Sequence, residues 1–557
     1  MFTRLRQLLA SCTPLERRIL FASAALLAFA SAGIIARYIA LRTALLPASG
    51  DVYVEGVVGQ PALLNPILAG ASDIDRDIIA LLFSGLALLS ENIAPSENGR
   101  VFTVTLKKDL RWSDGEPLTT DDILFTLETI QDIAARSPLF PTWQGVVAER
   151  LSEREMKFTL KTPYAFFADN LRDLRVIPRH IFGAIPSLNL RLSAYNLQPI
   201  GSGPYAFSNF EKRKDGFITD YVLTANPYFA STTPYLTEFR FKFFSSPAEV
   251  LGAFNRFAVT GFGGFNARDL NALTVGDDAH YLEVPRYYAV FINQGLHPAL
   301  KEREVREALA RATDRARIVA TVFGGAHRAS AAFGPIAPTI EGYDESVYAD
   351  DRFSTTTAAA LLEKAGWKPG SDGVRAKNFG RSPVRLAFDM VVPEIPFLVQ
   401  AAELIKAQWA DIGVSVTPLL ANPADINASV LKTRNYQLLL FGNILNGNPD
   451  VFAFWHSSER FSPGFNLAVY ESKPVDALLE SIRKDFAPSS RAKTIRKLQE
   501  LLLNDRPAIF LFNPSYLYVT SKQLKGFSAA NIVTPANRFD DVTSWYFRTK
   551  RVWKTGV

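Results

Sequence analysis

Cysteine is nearly absent from this chain: Cys12 is the only one in 557 residues. That excludes a disulfide framework, a cysteine cluster for zinc or iron and sulfur, and a thiol redox pair. Histidine is scarce as well. His180, His280, His297, His327 and His456 are scattered, and no HxxxH or HExxH spacing sets two of them on one helix face. Hydrolase signatures such as GxSxG are missing, so no residue is assigned to catalysis and no metal or cofactor is implied. Charge of one sign is also in short supply. A formal net charge of +6, spread along the chain, describes a solvated surface and gives no basis for a nucleic-acid partner. No internal repeat or low-complexity tract interrupts the sequence.

Apolar residues, in contrast, are plentiful. At 48% hydrophobic, the chain can fill the two or three domains that its length requires. The uncharged run Ile19 to Ala36 (ILFASAALLAFASAGIIA) would rise roughly 27 Å as a helix, close to the thickness of a bilayer hydrocarbon core. Arg4, Arg6, Arg17 and Arg18 precede it and Arg37 and Arg42 follow, a bias that favours a cytoplasmic N-terminus and an exported bulk. Ala30-Ser31-Ala32 offers a small-x-small cleavage site, so a removable signal peptide is the alternative. The run continues through Ile34 and Ile35, which favours a retained anchor. Cys12 precedes the run and therefore cannot carry a lipid after signal cleavage.

The stretch Arg111 to Ile130 (RWSDGEPLTTDDILFTLETI) joins a strand, a tight turn and a capped helix. Val101 to Lys107 alternates as a half-buried strand should, and Ser113-Asp114-Gly115 breaks it. Thr119 is placed to cap the next helix with Asp122, while Ile123, Leu124, Leu127 and Ile130 form one apolar stripe. Further on, Gly201-Ser202-Gly203-Pro204-Tyr205 lacks the lysine and hydroxyl of a phosphate loop, and its glycines suggest backbone angles closed to other residues. Helices are expected over Asp73 to Leu82 and Glu304 to Thr313, with Asp314 capping the helix after the second. Leu45 to Gly50 reads as a linker, and Ala508 to Val519 as one strand. His180, beside Pro178 at a loop-to-helix boundary, has no partner base or ligand in sequence and is read as structural.

These segments, in this order, resemble family 5 extracellular solute-binding proteins, the oligopeptide-, dipeptide- and nickel-binding subunits of ABC importers. The resemblance rests on GQPALLNP at Gly59 to Pro66, the WSDG turn and its helix, VIPRHIF at Val176 to Phe182, GSGPY, Asn226-Pro227-Tyr228-Phe229 and VREALARATDRARIV from Val305. It implies a two-lobed α/β periplasmic-binding-protein-like fold (type II, cluster C) with an extra subdomain in lobe I, beside the N-terminal membrane helix. The expected division is a cytoplasmic segment 1–18, a transmembrane helix or signal anchor 19–38, lobe I 51–285, lobe II 286–505 and a return to lobe I over 506–557. It further implies capture of a peptide or other polar solute between the lobes, without catalysis, for delivery to permease and ATPase subunits. A membrane-anchored receptor or scaffold of the same fold is the alternative.

For ligand contacts the resemblance points to Gly70, Ala71 and Ser72 in the first lobe and to the loop Gly442 to Asp450 in the second. Peptide-binding members hold the α-amine on an aspartate in that loop, and a register anchored on Pro449 puts Leu445 there instead. Leu445 offers no charge, so binding is expected through backbone, Asn446, Gly447 and Asn448. Asp450 is read either as a helix cap before Val451 or as a substitute for the missing carboxylate. The expected location is the cell membrane, single-pass, with the large domain outside. Protease added to intact spheroplasts is therefore expected to digest the large domain; full protection would overturn the topology.

Overall fold

The computed structural model describes residues 13–96, 99–265, 269–379 and 382–554. Arg4, Arg6 and Cys12, and the Glu97–Asn98 centre of an expected turn, lie outside the described residues. Thr13 starts the first helix, Pro14–Arg42, through a reciprocal cap: Glu16 N donates to Thr13 Oγ1 at 3.4 Å and Thr13 N to Glu16 Oε2 at 2.8 Å. Pro14 fits the first helical position, where no intrahelical N–H bond is lost. None of this helix is buried, and it is long and apolar enough to cross a membrane. It extends past the expected 19–38 at both ends. The expected linker after it is corrected: Thr43–Pro47 is a strand, paired antiparallel with Thr549–Trp553. Its partner lies at the far end of the chain, so no local pattern marked it.

Two sheets organise the remainder. The first has seven strands in the order Asp277–Leu282, Tyr516–Ser521, Gly261–Gly263, Val52–Val58, Glu238–Phe244, Ile218–Ala225 and Tyr205–Lys212. The second has six, in the order Ala329–Ala331, Ala508–Pro514, Arg286–Ile292, Leu438–Ile444, Ala387–Pro393 and Ser415–Ala421. The chain crosses from one to the other at Glu283–Pro285 and returns at Ser515. The single strand expected over Ala508 to Val519 is thus two strands in different sheets. Both halves are almost wholly buried, so their apolar run gives no sign of the change. On the six-stranded sheet one face packs against Trp367, Ile405 and Trp409, and the other carries Tyr287, Trp455 and Phe510. Helices Lys473–Lys484 and Pro488–Asp505 contribute Leu479, Ile495 and Leu498 to that second cluster.

An inserted subdomain carries a four-stranded antiparallel sheet in the order Ser90–Pro95, Val101–Leu106, Glu155–Thr159 and Val147–Arg150. Helix Thr120–Gln131 begins with the expected capping box, in which Asp122 Oδ2 accepts from Thr119 N at 2.9 Å. The other carboxylate oxygen of Asp122 accepts from Arg179 N at 2.9 Å, which ties VIPRHIF to the helix start. Asp314 likewise caps Arg315–Phe323 through Arg317 N at 2.9 Å. His180 Nε2 lies 2.9 Å from Asp114 Oδ2, a contact that joins the WSDG turn to the same corner.

The WSDG turn is also zipped to GSGPY: Ser113 N donates to Gly201 O at 2.8 Å and Gly201 N to Ser113 Oγ at 3.1 Å. Neither Gly201 nor Gly203 has a positive φ, so the expectation of unusual backbone angles is corrected. Their glycines are required by close approach. A Cβ at Gly201 would sit 1.9 Å from Leu82 O, and one at Gly203 2.4 Å from Leu81 O. Gly203 N meanwhile donates to Leu82 O at 2.8 Å, closing the end of helix Asp73–Leu82. Gly201→Ala is therefore expected to destabilise the first lobe by about 1–3 kcal/mol through overpacking against rigid backbone. Urea unfolding would measure it, and an unchanged midpoint would contradict this account.

Candidate ligand-binding site

The hinge between the sheets is built by residues adjacent in space and remote in sequence. Arg286, the first residue of its strand, reaches across to the second crossing: Nε and Nη2 donate to Pro514 O at 3.1 and 2.7 Å. Burial lowers its pKa, opposed by the nearby Tyr288 and Asp73. As a guanidinium it remains charged. Asp73 opens helix Asp73–Leu82 and directly follows Gly70, Ala71 and Ser72 in the chain. Gly70 and Ala71 are exposed, and Ser72 is half-buried with its Oγ accepting from Asp75 N at 3.2 Å as the helix cap.

The second-lobe loop starts at the same place. Arg286 pairs with Ile444 in the sheet, and Leu445 N donates to Pro285 O at 2.7 Å. The strand leading into the loop is Leu438–Ile444, later than the expected Tyr436 to Phe441. Leu445 is 1% exposed and belongs to the apolar cluster of Tyr287, Trp455 and Phe510, so its side chain is used in packing. Asn446 and Gly447 are exposed. Gly447 has φ +75°, and a Cβ there would meet Val533 of the first lobe at 2.7 Å.

Asn448 and Asp450 face the inserted subdomain. Asn448 Nδ2 lies 3.4 Å from Asp169 Oδ2. Asp450 Oδ2 accepts from the Tyr164 hydroxyl at 2.7 Å and from Arg483 Nε at 3.0 Å, while Oδ1 accepts from Phe452 N at 3.3 Å. The carboxylate thus bonds the first N–H of the short helix Phe452–Trp455, whose cap position is Val451 and not the expected Asp450, and also joins the lobes. Burial, then Asp450, push the Tyr164 hydroxyl far above the ordinary tyrosine range, which keeps it a proton donor. Beside it, Ala165 N donates to Arg483 O at 2.7 Å and Phe166 is buried in the second-lobe cluster.

Sequence reasoning missed Arg286, Tyr164, Arg483 and Asn513. Arg286 could have been singled out as a charge at the mouth of the apolar strand YYAVFI; the others carry no local signal. Asn513 and Arg286 border a cavity of about 10 Å³ together with Tyr287, Phe333, Gly334 and Tyr343. Asn513 Oδ1 is buried and accepts no hydrogen bond from the protein. A space of that size admits one small polar group.

Residues 86–462 match the family model described as bacterial extracellular solute-binding proteins, family 5 Middle. The chain belongs to this family. The oligopeptide-binding protein AppA of Bacillus subtilis is 25% identical over 513 residues, covering 88% of this chain and 91% of its own. Among solved structures, the substrate-binding protein CtaP of Listeria monocytogenes superposes with a TM-score of 0.76 at 23% identity, covering 90% of this chain and 99% of that one. NikZ of Campylobacter jejuni, solved with Ni(L-His), gives 0.69 at 23% identity, covering 89% and 99%. The two-lobed fold is shared with both, and the chain is an extracellular solute-binding protein whose family comprises binding proteins, not enzymes.

In this solute-binding protein, side chains at Asp450 join the two halves. Tyr164→Phe, which keeps the ring and removes the hydroxyl, is expected to weaken the lobe contact by about 1.5–3 kcal/mol, as for a hydrogen bond to a charged group. Faster amide exchange over Gly442–Asp450 in the ligand-free protein would report it. Unchanged exchange would mean that the latch does not hold the lobes.

Proposed function

We propose that the protein captures a peptide-like solute bearing a carboxylate between its lobes and presents it to the permease of an ABC importer, held outside the cell by the helix Pro14–Arg42. Arg286 carries the reading: it is the cation at the start of the loop from Ile444, at the crossing between the sheets, and it feels the charge of Asp73, which follows Ser72 in the chain. Its bonds to Pro514 O use Nε and Nη2, which leaves Nη1 for a ligand oxygen. Asp450, with both oxygens engaged, is not available to neutralise an α-amine. Ligand amides would then bond to exposed backbone at Gly70, Ala71 and Gly447 and to Asn446, with Ser72 and Asn448 at the margins and Leu445 as apolar wall. Asn513 Oδ1 offers an acceptor for one further donor.

The related proteins support this solute class, since AppA is named for oligopeptides and the NikZ complex holds an amino acid with its metal. Binding selects the closed arrangement because only there do both lobes touch the solute, and the permease reads that arrangement. Mass spectrometry of solute released from gently purified protein identifies the ligand. Saturation at about 100-fold over its Kd is expected to add roughly 2.7 kcal/mol of stability. Arg286→Gln is expected to weaken binding at least about tenfold, the loss of one charge-assisted contact. An amine-only ligand, or undiminished affinity in Arg286→Gln, would overturn the carboxylate reading.

A further inference from the structure

The helix Pro14–Arg42 passes without a spacer into the terminal ribbon: Arg42 is its last residue and Thr43 the first of the strand. Thr43 N bonds to Ile39 O, its hydroxyl donates to the same carbonyl, and Lys554 N donates to Arg42 O at 2.8 Å. Helix and ribbon are therefore locked to each other. The register sets Thr43 opposite Trp553, Leu45 opposite Arg551 and Leu46 opposite Lys550. Arg551 Nη1 bonds across the strands to Thr43 Oγ1 at 3.2 Å.

The ribbon carries apolar and basic side chains on both faces, with Leu45, Arg551 and Trp553 on one and Leu46 and Lys550 on the other. Tyr38, Leu41, Leu45, Leu46 and Trp553 are all exposed, and so are Lys550, Arg551 and Lys554. The Tyr38 and Trp553 rings lie 6.4 Å apart, and the Arg42 guanidinium 5.9 Å from the Tyr38 ring. Segments 37–48 and 549–554 contain five basic residues and no acidic one. Amphipathic aromatics beside cations, with no acid, match the chemistry of a lipid headgroup layer. The spacing agrees. With Ile19–Ala36 in the hydrocarbon, the six residues from Arg37 to Arg42 rise about 9 Å, which brings Thr43 to the outer edge of the headgroup region. Lys550, Arg551 and Lys554 are far from the span in sequence, so they do not oppose the topology set by residues flanking it.

We propose that the ribbon of Thr43–Pro47 and Thr549–Trp553 is a membrane-contact surface for anionic phospholipid headgroups, which holds lobe I at a fixed height and tilt on the bilayer. Tyr38 and Trp553 sit at the interface, and the ribbon meets the headgroup layer edge-on, so that Arg551 on one face and Lys550 on the other, with Lys554 just past the strand, reach lipid phosphates. This rests on retention of the helix as an anchor, a separate reading that intact mass of the membrane-extracted protein settles on its own.

The test uses the full chain in nanodiscs of phosphatidylcholine alone or mixed with phosphatidylglycerol. A fluorophore goes on Thr549→Cys in a Cys12→Ser background, with quenching read from headgroup nitroxide lipid against a water-soluble quencher. The expected result is headgroup quenching that is at least twofold stronger with phosphatidylglycerol, falls as salt rises, and is lost in a Lys550→Glu, Arg551→Glu, Lys554→Glu variant with unchanged melting. Quenching from water alone in both lipids would overturn the proposal while leaving the anchor intact. So would a contact that appears only when permease is added, which would assign the ribbon to a protein. Loss of the helix by intact mass would overturn both readings.

Discussion

Arg538 holds the first lobe together. It arrives from the C-terminal return and lies 1% exposed between two buried carboxylates, with Nη2 2.9 Å from Glu55 Oε1 and Nη1 2.8 Å from Asp77 Oδ1. Glu55 sits on the central strand Val52–Val58, and Asp77 on helix Asp73–Leu82, which Ser72 caps. The second oxygen of Glu55 accepts from Tyr53 and Tyr518 at 3.1 and 3.0 Å. Burial pushes both carboxyl groups up in pKa, opposed by the guanidinium between them. Breaking such a buried pair costs about 3–5 kcal/mol, because the partner is left charged without water. Sheet, helix and chain terminus are thereby fixed relative to one another, and Gly70 to Ser72 with them.

From that fixed half the chain reaches the second lobe at two points only, Glu283–Pro285 and Ser515, and Arg286 ties the two crossings through Pro514 O. Away from the hinge, the lobes meet through Tyr164, Asp169, Asn448, Asp450 and Arg483. The loop expected to choose the solute is thus divided. Its start lies at the hinge beside Arg286, and its end serves the latch. A residue at the Asp450 position cannot serve an amine and the latch together, and the geometry commits it to the latch.

Local chemistry was legible in the sequence. Thr119 with Asp122, Asp314, the WSDG turn and helix Asp73–Leu82 fall where propensity and capping put them, because each depends on residues within one or two turns. What depends on distant partners was not. Tyr164 and Asp450 are 286 positions apart, and Arg538 and Glu55 are 483 apart. The pairing of Thr43–Pro47 with the last strand is of the same kind. GSGPY is an intermediate case: the need for glycine was visible, but its cause, the approach to Leu81 and Leu82 carbonyls, belongs to tertiary packing. Leu445 shows a limit of register arguments, since alignment to a ligand position said nothing of the side chain's burial.

The first and last strands described, Thr43–Pro47 and Thr549–Trp553, both belong to the same half of the molecule. They pair with each other and run on into the half that holds the seven-stranded sheet. Among the described residues the six-stranded half is entered at Glu283–Pro285 and left at Ser515, and nowhere else. Any rotation between the lobes therefore turns on these two crossings, which Arg286 ties, and must break or make the contact at Asp450.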